Sequence, residues 1–338
     1  PAIVRKATFP APVVDTPTSV RAAVEMGLSG LAPAEHALLT RLAVFAGGFD
    51  LEMARDVCAL APDERAALPA VLTGLVRGAL VIGEHVGPGQ RFRLLEVMRA
   101  YAEDMLLASG EAERIRRRHA EHLAAVAIAS QEALQGEDAE GWATRLALEH
   151  ANLQAARRWL LVHDPALALR MATGLAHHWT MSGQLATARL ALDEALAAYE
   201  GSGLDAGSED RQAALAALGA VAREQSDFRA ARDALESALA LVRRREDPRG
   251  LSVALRRLGN VAEELGERAD ATALYRESLA ICMAIGDERG TAMAYNNLGI
   301  LADHEGRHDE AVAHLREALA RIEGLGDAWI ASVVRGNL

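Results

Sequence analysis

Between residues 211 and 330 the chain repeats itself every forty residues without a slip. The pairs Leu218-Gly219, Leu258-Gly259 and Leu298-Gly299 keep that spacing, and so do Ala231, Ala271 and Ala311. Four positions after each of these alanines stands a bulky residue: Leu235, Tyr275 or Leu315. Three positions later comes a small one: Ala238, Ser278 or Ala318. Each block holds two stretches with apolar residues at i, i+3, i+4 and i+7, the helical period. Ser226, Gly266 or Gly306 stands between the two as the turn residue. One such helical hairpin cannot bury its apolar face alone. Stacked copies can, because small residues at fixed places let neighbouring helices approach. The period therefore predicts an α-solenoid with a concave inner wall. Residues 331–338 open a fourth copy that stops at its Leu.

This pattern resembles the tetratricopeptide repeat in a lengthened, forty-residue form. That family places Leu-Gly in the first helix and Ala, a bulky residue and Ala in the second. A more divergent earlier copy fits Leu175, Ala188, Leu192 and Ala195, with Gly183 at its turn, and the resemblance covers roughly 166–338. Aromatic residues make up only 4 % of the chain, which suits helices packed through small residues better than a β-sandwich.

The first half reads differently. Residues 1–18 hold four prolines and no helical period, an extended arm or linker. Helices are expected over SVRAAVEMGLSGL, over APAEHALLTRLAVFAGGF up to the Gly47-Gly48 stop, over LEMARDVCAL behind Asp50 as N-cap, and over APDERAALPAVLTGLVRGAL, kinked or broken at Pro69. ALVIGEH and RFRLLE are then short strand-like runs about the turn signal VGPGQ, before EVMRAYAEDMLLASG returns to helix. Helices followed by a two-stranded hairpin predict a winged helix over 19–110, with a helical connector over 111–165 and the repeats over 166–338.

The strings ALLTRLAVFAGGFDLEMARDVC (37–58), LVRGALVIGEHVGPGQRFRLLEVMRAYAEDML (75–106), GEAERIRRRHAEHL (110–123) and EHANLQAARRW (149–159) carry a second resemblance. They are similar to the segment after the nucleotide-binding domain in bacterial STAND-class transcription regulators of the AfsR and LuxR-like types. In that family a P-loop ATPase domain precedes the winged helix and the repeats. The resemblance implies a regulatory, signal-transducing chain whose nucleotide-binding domain lies elsewhere in the same protein. This chain has no G-x-x-x-x-G-K-[ST], so it has no cradle for a nucleotide's phosphates and no expected cofactor. Related proteins carry a nucleotide-touching Met-His-Asp triplet after the wing. Here the matching residues are Leu94-Leu95-Glu96, and a Leu cannot donate to a phosphate.

The formal net charge of −11 gives no field for holding a polyanion, which argues against nucleic acid as partner. The alternative of DNA binding through the winged helix meets a poorly equipped recognition helix, with only Asp63, Glu64, Arg65 and Arg77 charged between 63 and 80. Arg114, Arg116, Arg117 and Arg118 form a basic cluster best read as a solvated face paired with nearby glutamates. Two distant cysteines, Cys58 and Cys282, make no disulfide framework, sit on predicted apolar faces, and fit a reducing, cytoplasmic setting. No apolar run approaches the ~20 residues that span a bilayer. The chain opens at Pro1 and closes inside a helical pattern, as a piece of a longer protein would, and its uncapped last copy offers a face for self-association.

His304-Glu305-Gly306-Arg307-His308 matches the zinc-protease signature H-E-x-x-H, but Gly306 falls where the repeat turns, so one continuous helix cannot present both histidines. His177-His178, and His119 with His122, show no third ligand. No nucleophile arrangement emerges, so the chain is expected to be no enzyme and to hold no metal. The resemblance to tetratricopeptide repeats implies a site on the inner wall. Counted from the Leu-Gly pairs, the wall positions are Arg223, Arg256, Arg257, Asn260, Glu263, Asn296, Asn297 and Asp303, with Asn337 repeating Asn297. Amide and guanidinium groups there suit a peptide main chain or a carboxylate, so a peptide or protein ligand is the expected partner.

Overall fold

The computed structural model describes residue 28 and residues 30–86, 89–136 and 138–338. The arm over 1–18 and most of the first expected helix lie outside these residues. The chain divides into two compact units, Pro1–Leu123 with Leu146–Trp159, and Ala124–Arg145 with Leu160–Leu338.

The first unit is a winged helix. Helix α1 spans Pro33–Leu42, with Pro33 pre-set at its first turn and the Glu35 carboxylate accepting from the Ala32 N–H at 3.0 Å. It ends five residues before the expected Gly47-Gly48 stop. Phe45 and Phe49 explain the early end: their rings stack at 4.8 Å, and Phe49 is fully buried, so tertiary packing overrides local helix preference. The Phe49 N–H and C=O pair with Phe92 at 2.8 and 2.7 Å, tying the loop to the wing. Asp50 caps α2 (Leu51–Cys58) as expected, accepting from the Met53 N–H at 2.8 Å.

Helix α3 (Pro62–Arg77) continues as one helix through Pro69, the expected place of a kink or break. Strands β1 (Val81–Val86) and β2 (Gly89–Leu94) pair antiparallel, from Val81 opposite Leu94 to Val86 opposite Gly89. Helix α4 (Glu96–Ser109) stops at Gly110 in the left-handed conformation. Three further helices follow: α5 (Ala112–Ala133), α6 (Ala139–Leu148) and α7 (His150–His163).

The second unit carries the solenoid. Its hairpins are α8 (Pro165–Met181) with α9 (Leu185–Gly201), α10 (Glu209–Glu224) with α11 (Phe228–Val242), α12 (Pro248–Glu264) with α13 (Arg268–Ala284), and α14 (Glu288–His304) with α15 (His308–Gly324). Helix α16 (Ala328–Asn337) opens the next copy. The expected turn residues Gly183, Ser226, Gly266 and Gly306 all have positive φ, between 59° and 77°. The Leu-Gly pairs also behave alike. A Cβ on Gly219, Gly259 or Gly299 would stand 2.5–2.7 Å from the bulky residue sixteen positions on, Leu235, Tyr275 or Leu315. Only glycine allows the two helices of each hairpin to come this close. Asp247, Asp287 and Asp327 recur at the same period, each capping the first helix of its copy through a backbone N–H three residues on.

Candidate functional site

The first helices α12, α14 and α16 bring most of the expected wall residues together. Asn297 donates from Nδ2 to Asn260 Oδ1 at 2.8 Å, and Asn337 does the same to Asn296 Oδ1 at 2.8 Å. Asn296 reaches Asn297 Oδ1 at 3.4 Å. The Tyr275 hydroxyl stands 2.8 Å from Asn260 Oδ1 and 3.0 Å from Glu263 Oε2, and one proton serves these two acceptors. The other Glu263 oxygen faces His304 Nδ1 at 2.9 Å. A polar ladder thus crosses three successive copies. The repeat pattern marks Tyr275 only as the bulky residue of its copy. Burial and the neighbouring Glu263 charge push its phenol above the ordinary tyrosine value, so it is a hydrogen-bond donor here and never an anion.

Arg256 and Arg257 stand apart from this ladder. Among the described residues neither has a hydrogen bond or an ion pair. Burial holds both guanidinium groups below the ordinary arginine value, and Arg256 is lowered further by the charge of Arg257. Both nonetheless remain charged at any physiological pH. The other two expected residues are engaged elsewhere: Arg223 pairs with Glu224, and Asp303 accepts from His308 Nδ1 at 2.8 Å.

His304 ends α14 and His308 opens α15, each against its own carboxylate, so the H-E-x-x-H string builds no shared ligand face. No group of three or more His, Cys, Asp and Glu side chains among the described residues is placed to hold a metal ion.

In the winged-helix unit the charges serve the fold. Arg41 is buried, donates to Glu64 at 2.9 Å and Glu111 at 2.8 Å, and also bonds the Cys58 carbonyl. Burial pushes the Cys58 thiol up to about 12, so it is no nucleophile. On α3, Arg65 is tied to Asp56 at 2.8 Å. Of the basic cluster, Arg116 pairs with Glu103, Arg117 with Glu113, and Arg118 donates to the Asp56 carbonyl. In the Leu94-Leu95-Glu96 triplet, Leu94 is buried, and Glu96 pairs with Arg99 at 2.8 Å, which holds its carboxyl below the ordinary range.

Sequence reasoning missed one buried cluster. Asn152, with no exposure at all, accepts from the Ala46 and Gly47 N–H groups at 2.8 and 3.2 Å and donates to the Gly48 carbonyl and to Glu149 at 2.8 and 2.7 Å. Glu149, 2 % exposed, in turn pairs with Arg91 of the wing. Nearby, the ring of buried His119 meets Phe45 edge-on, and burial pushes its imidazole down to about 4. The pair Glu149 and Asn152 in EHANLQ was the available signal, but it reads locally as the start of a helix.

Comparison with known proteins agrees with both halves of this description. Residues 31–107 match the family model of the winged helix-turn-helix domain, and residues 250–323 match that of the tetratricopeptide repeat. A Mycobacterium tuberculosis (strain ATCC 25618 / H37Rv) protein named "Putative HTH-type transcriptional regulator" is 34 % identical over 162 residues. That match takes in 48 % of this chain but only 18 % of the relative's own length. Among solved structures, the nearly identical TPR-like repeats of a Podosopora anserina protein described as a kinesin light chain superpose with a TM-score of 0.51 at 16 % identity, over 61 % of this chain and 99 % of that one. A Pyrococcus horikoshii STAND protein with a tetratricopeptide repeat sensor aligns over 96 % of this chain and 55 % of its own, at 15 % identity and a TM-score of 0.47. The chain is therefore a winged helix-turn-helix domain followed by tetratricopeptide repeats, similar in part of its length to mycobacterial proteins named as HTH-type transcriptional regulators.

Proposed function

We propose that this chain is a binding rather than a catalytic part of a transcription regulator. Its solenoid receives a peptide or protein partner on the wall formed by α12, α14 and α16. The winged-helix domain passes that occupancy to a nucleotide-binding domain of the same longer protein. The observation that carries the reading is the polar ladder. Asparagine is a poor helix former, yet Asn260, Asn296, Asn297 and Asn337 all stand on first helices and hold one another in fixed orientations. Amide edges fixed in this way offer donors and acceptors to an extended main chain, and the two unpaired guanidinium groups beside them suit a carboxylate.

Coupling to a nucleotide-binding domain rests on the resemblance to STAND regulators and on the regulator names of the relatives. It requires an element with two states that the partner biases. Two free, buried cysteines, and the absence among the described residues of a helix long and apolar enough to cross a membrane, support a cytoplasmic setting.

The test is nucleotide-dependent signalling by the full-length protein carrying Asn297→Ala or Arg257→Ala. Loss of response with an unchanged circular dichroism melt is expected. A response equal to wild type in both variants would remove the groove from the account. A mobility-shift assay at two salt concentrations runs alongside. Specific binding with a steep salt slope would instead favour DNA recognition by the winged helix, which the pairing of Arg65 with Asp56 argues against.

A further inference from the structure

The inner wall changes character from copy to copy. Where α12 carries Arg256, Arg257 and Asn260, α10 carries Ala216, Ala217 and Ala220, and α14 carries Asn296 and Asn297 in the first two of those places. The alanines leave room. A cavity of about 320 Å³ opens among α10, α11 and α12, lined by Ala216, Leu235, Ala238 and Val253, with Arg257 at its edge. This is the lower end of the ~300–1,000 Å³ range of ligand clefts.

The acidic groups around the two arginines already have other work. Asp247 caps α12 at Gly250, Asp287 pairs with Arg249 at 3.3 Å, and Glu263 faces Tyr275 and His304. Asp287 attracts Arg256 only from beyond ion-pair distance. Other arginines of the repeats, Arg249, Arg289 and Arg321, sit in ion pairs. Arg256, half-buried, and Arg257, exposed, are thus two adjacent cations that repel each other and lack a counter-ion, in a chain of net charge −11. An arriving carboxylate relieves both penalties at once and meets guanidinium geometry made for two parallel hydrogen bonds.

We propose that Arg256 and Arg257 receive a carboxylate side chain of a peptide ligand, and that the cavity beside Arg257 takes the bulky apolar side chain next to it. The ligand is then an acidic-apolar peptide. This rests on the groove reading above and adds the chemistry of the occupant.

The experiment titrates the full chain into short fluorescein-labelled peptides, identical except for a central Glu-Leu, Gln-Leu, Lys-Leu or Glu-Ala pair, and reads anisotropy. Glu-Leu should bind. Gln-Leu and Glu-Ala should each bind at least about tenfold more weakly, and Lys-Leu not at all. The double variant Arg256→Gln, Arg257→Gln should erase the preference for Glu over Gln. Ala216→Leu, which fills the cavity from the facing helix, should erase the preference for Leu over Ala and keep the preference for Glu. Saturable displacement of the peptide by inorganic phosphate alone would assign the arginines to a phosphate ligand and overturn the proposal. Equal binding of all four peptides, weakened by Asn297→Ala, would also overturn it while leaving the groove reading in place. Binding by none of them overturns it as well, and the signalling experiment then judges the groove by itself.

Discussion

The main polar clusters of the two units differ in how far they are sealed. In the winged-helix unit Arg41, Glu149 and Asn152 are sealed from water and spend every bond on the unit's own backbone and charges. In the solenoid Asn260, Asn296 and Asn297 are only half-buried, and the arginines beside them have no partner. A sealed and satisfied polar group fixes the chain, because leaving its partners unpaired in the dry interior is costly. A half-open and partly satisfied one keeps capacity for something that is not the chain itself. On the proposed reading of the groove, the contrast separates a part that holds the chain from a part that receives a partner.

Four changes probe the contrast, beginning with the most damaging. Asn152→Ala strands two N–H groups, a carbonyl oxygen and one contact of Glu149. At ~1–3 kcal/mol for each unsatisfied buried group, less what relaxation recovers, it should cost about 3–4 kcal/mol in urea unfolding. A loss below ~1 kcal/mol would break the contrast.

Acid is the next probe. Burial pushes the His119 imidazole down to about 4 in the folded chain, against its ordinary value of 6.5 when unfolded. As pH falls the unfolded chain therefore takes up the proton first. The stability that His119 contributes is intact above ~6.5, declines from there to ~4, and amounts to roughly 3 kcal/mol. Unfolding measured across that window should slope with pH in wild type and slope less in His119→Phe.

Gly259→Ala tests the seam of a repeat. Its methyl would meet the Tyr275 ring at 2.5 Å, and that ring is anchored by its hydroxyl. Overpacking of ~1–3 kcal/mol, offset in part by better helix propensity, should leave a net loss of about 1–2 kcal/mol in thermal or urea melts. The smallest effect belongs to Arg257→Gln. The residue makes no bond to lose, so stability should stay within ~0.5 kcal/mol of wild type while partner binding falls. A large loss of stability would move Arg257 to the holding side.

The solenoid was readable in the sequence because every copy meets the same surroundings. One physical requirement, such as room for the bulky residue across from Gly219, Gly259 and Gly299, is therefore written three times. The turns at Ser226, Gly266 and Gly306 followed from that register. The winged helix was readable in its elements but not in its joints. Helix α1 ends early because Phe45 is drawn to Phe49, and Pro69 is carried within α3. The backbone partners of Asn152 lie about a hundred residues away in the chain, where no local pattern points to them. The engagement of Arg223 and Asp303 with their own neighbours was equally invisible, since the repeat pattern gives the face of a helix but not the reach of a long side chain.

Tyr275 occupies a place that its neighbouring copies fill with Leu235 and Leu315. Its ring serves the seam of the hairpin, and its hydroxyl touches Asn260 and Glu263 on the wall. One side chain therefore belongs to two separate jobs. Exchange for the leucine of the adjacent copies would keep a bulky apolar group at the seam while freeing an amide and a carboxylate, so the chemistry of this face and the closure of the hairpin can change separately.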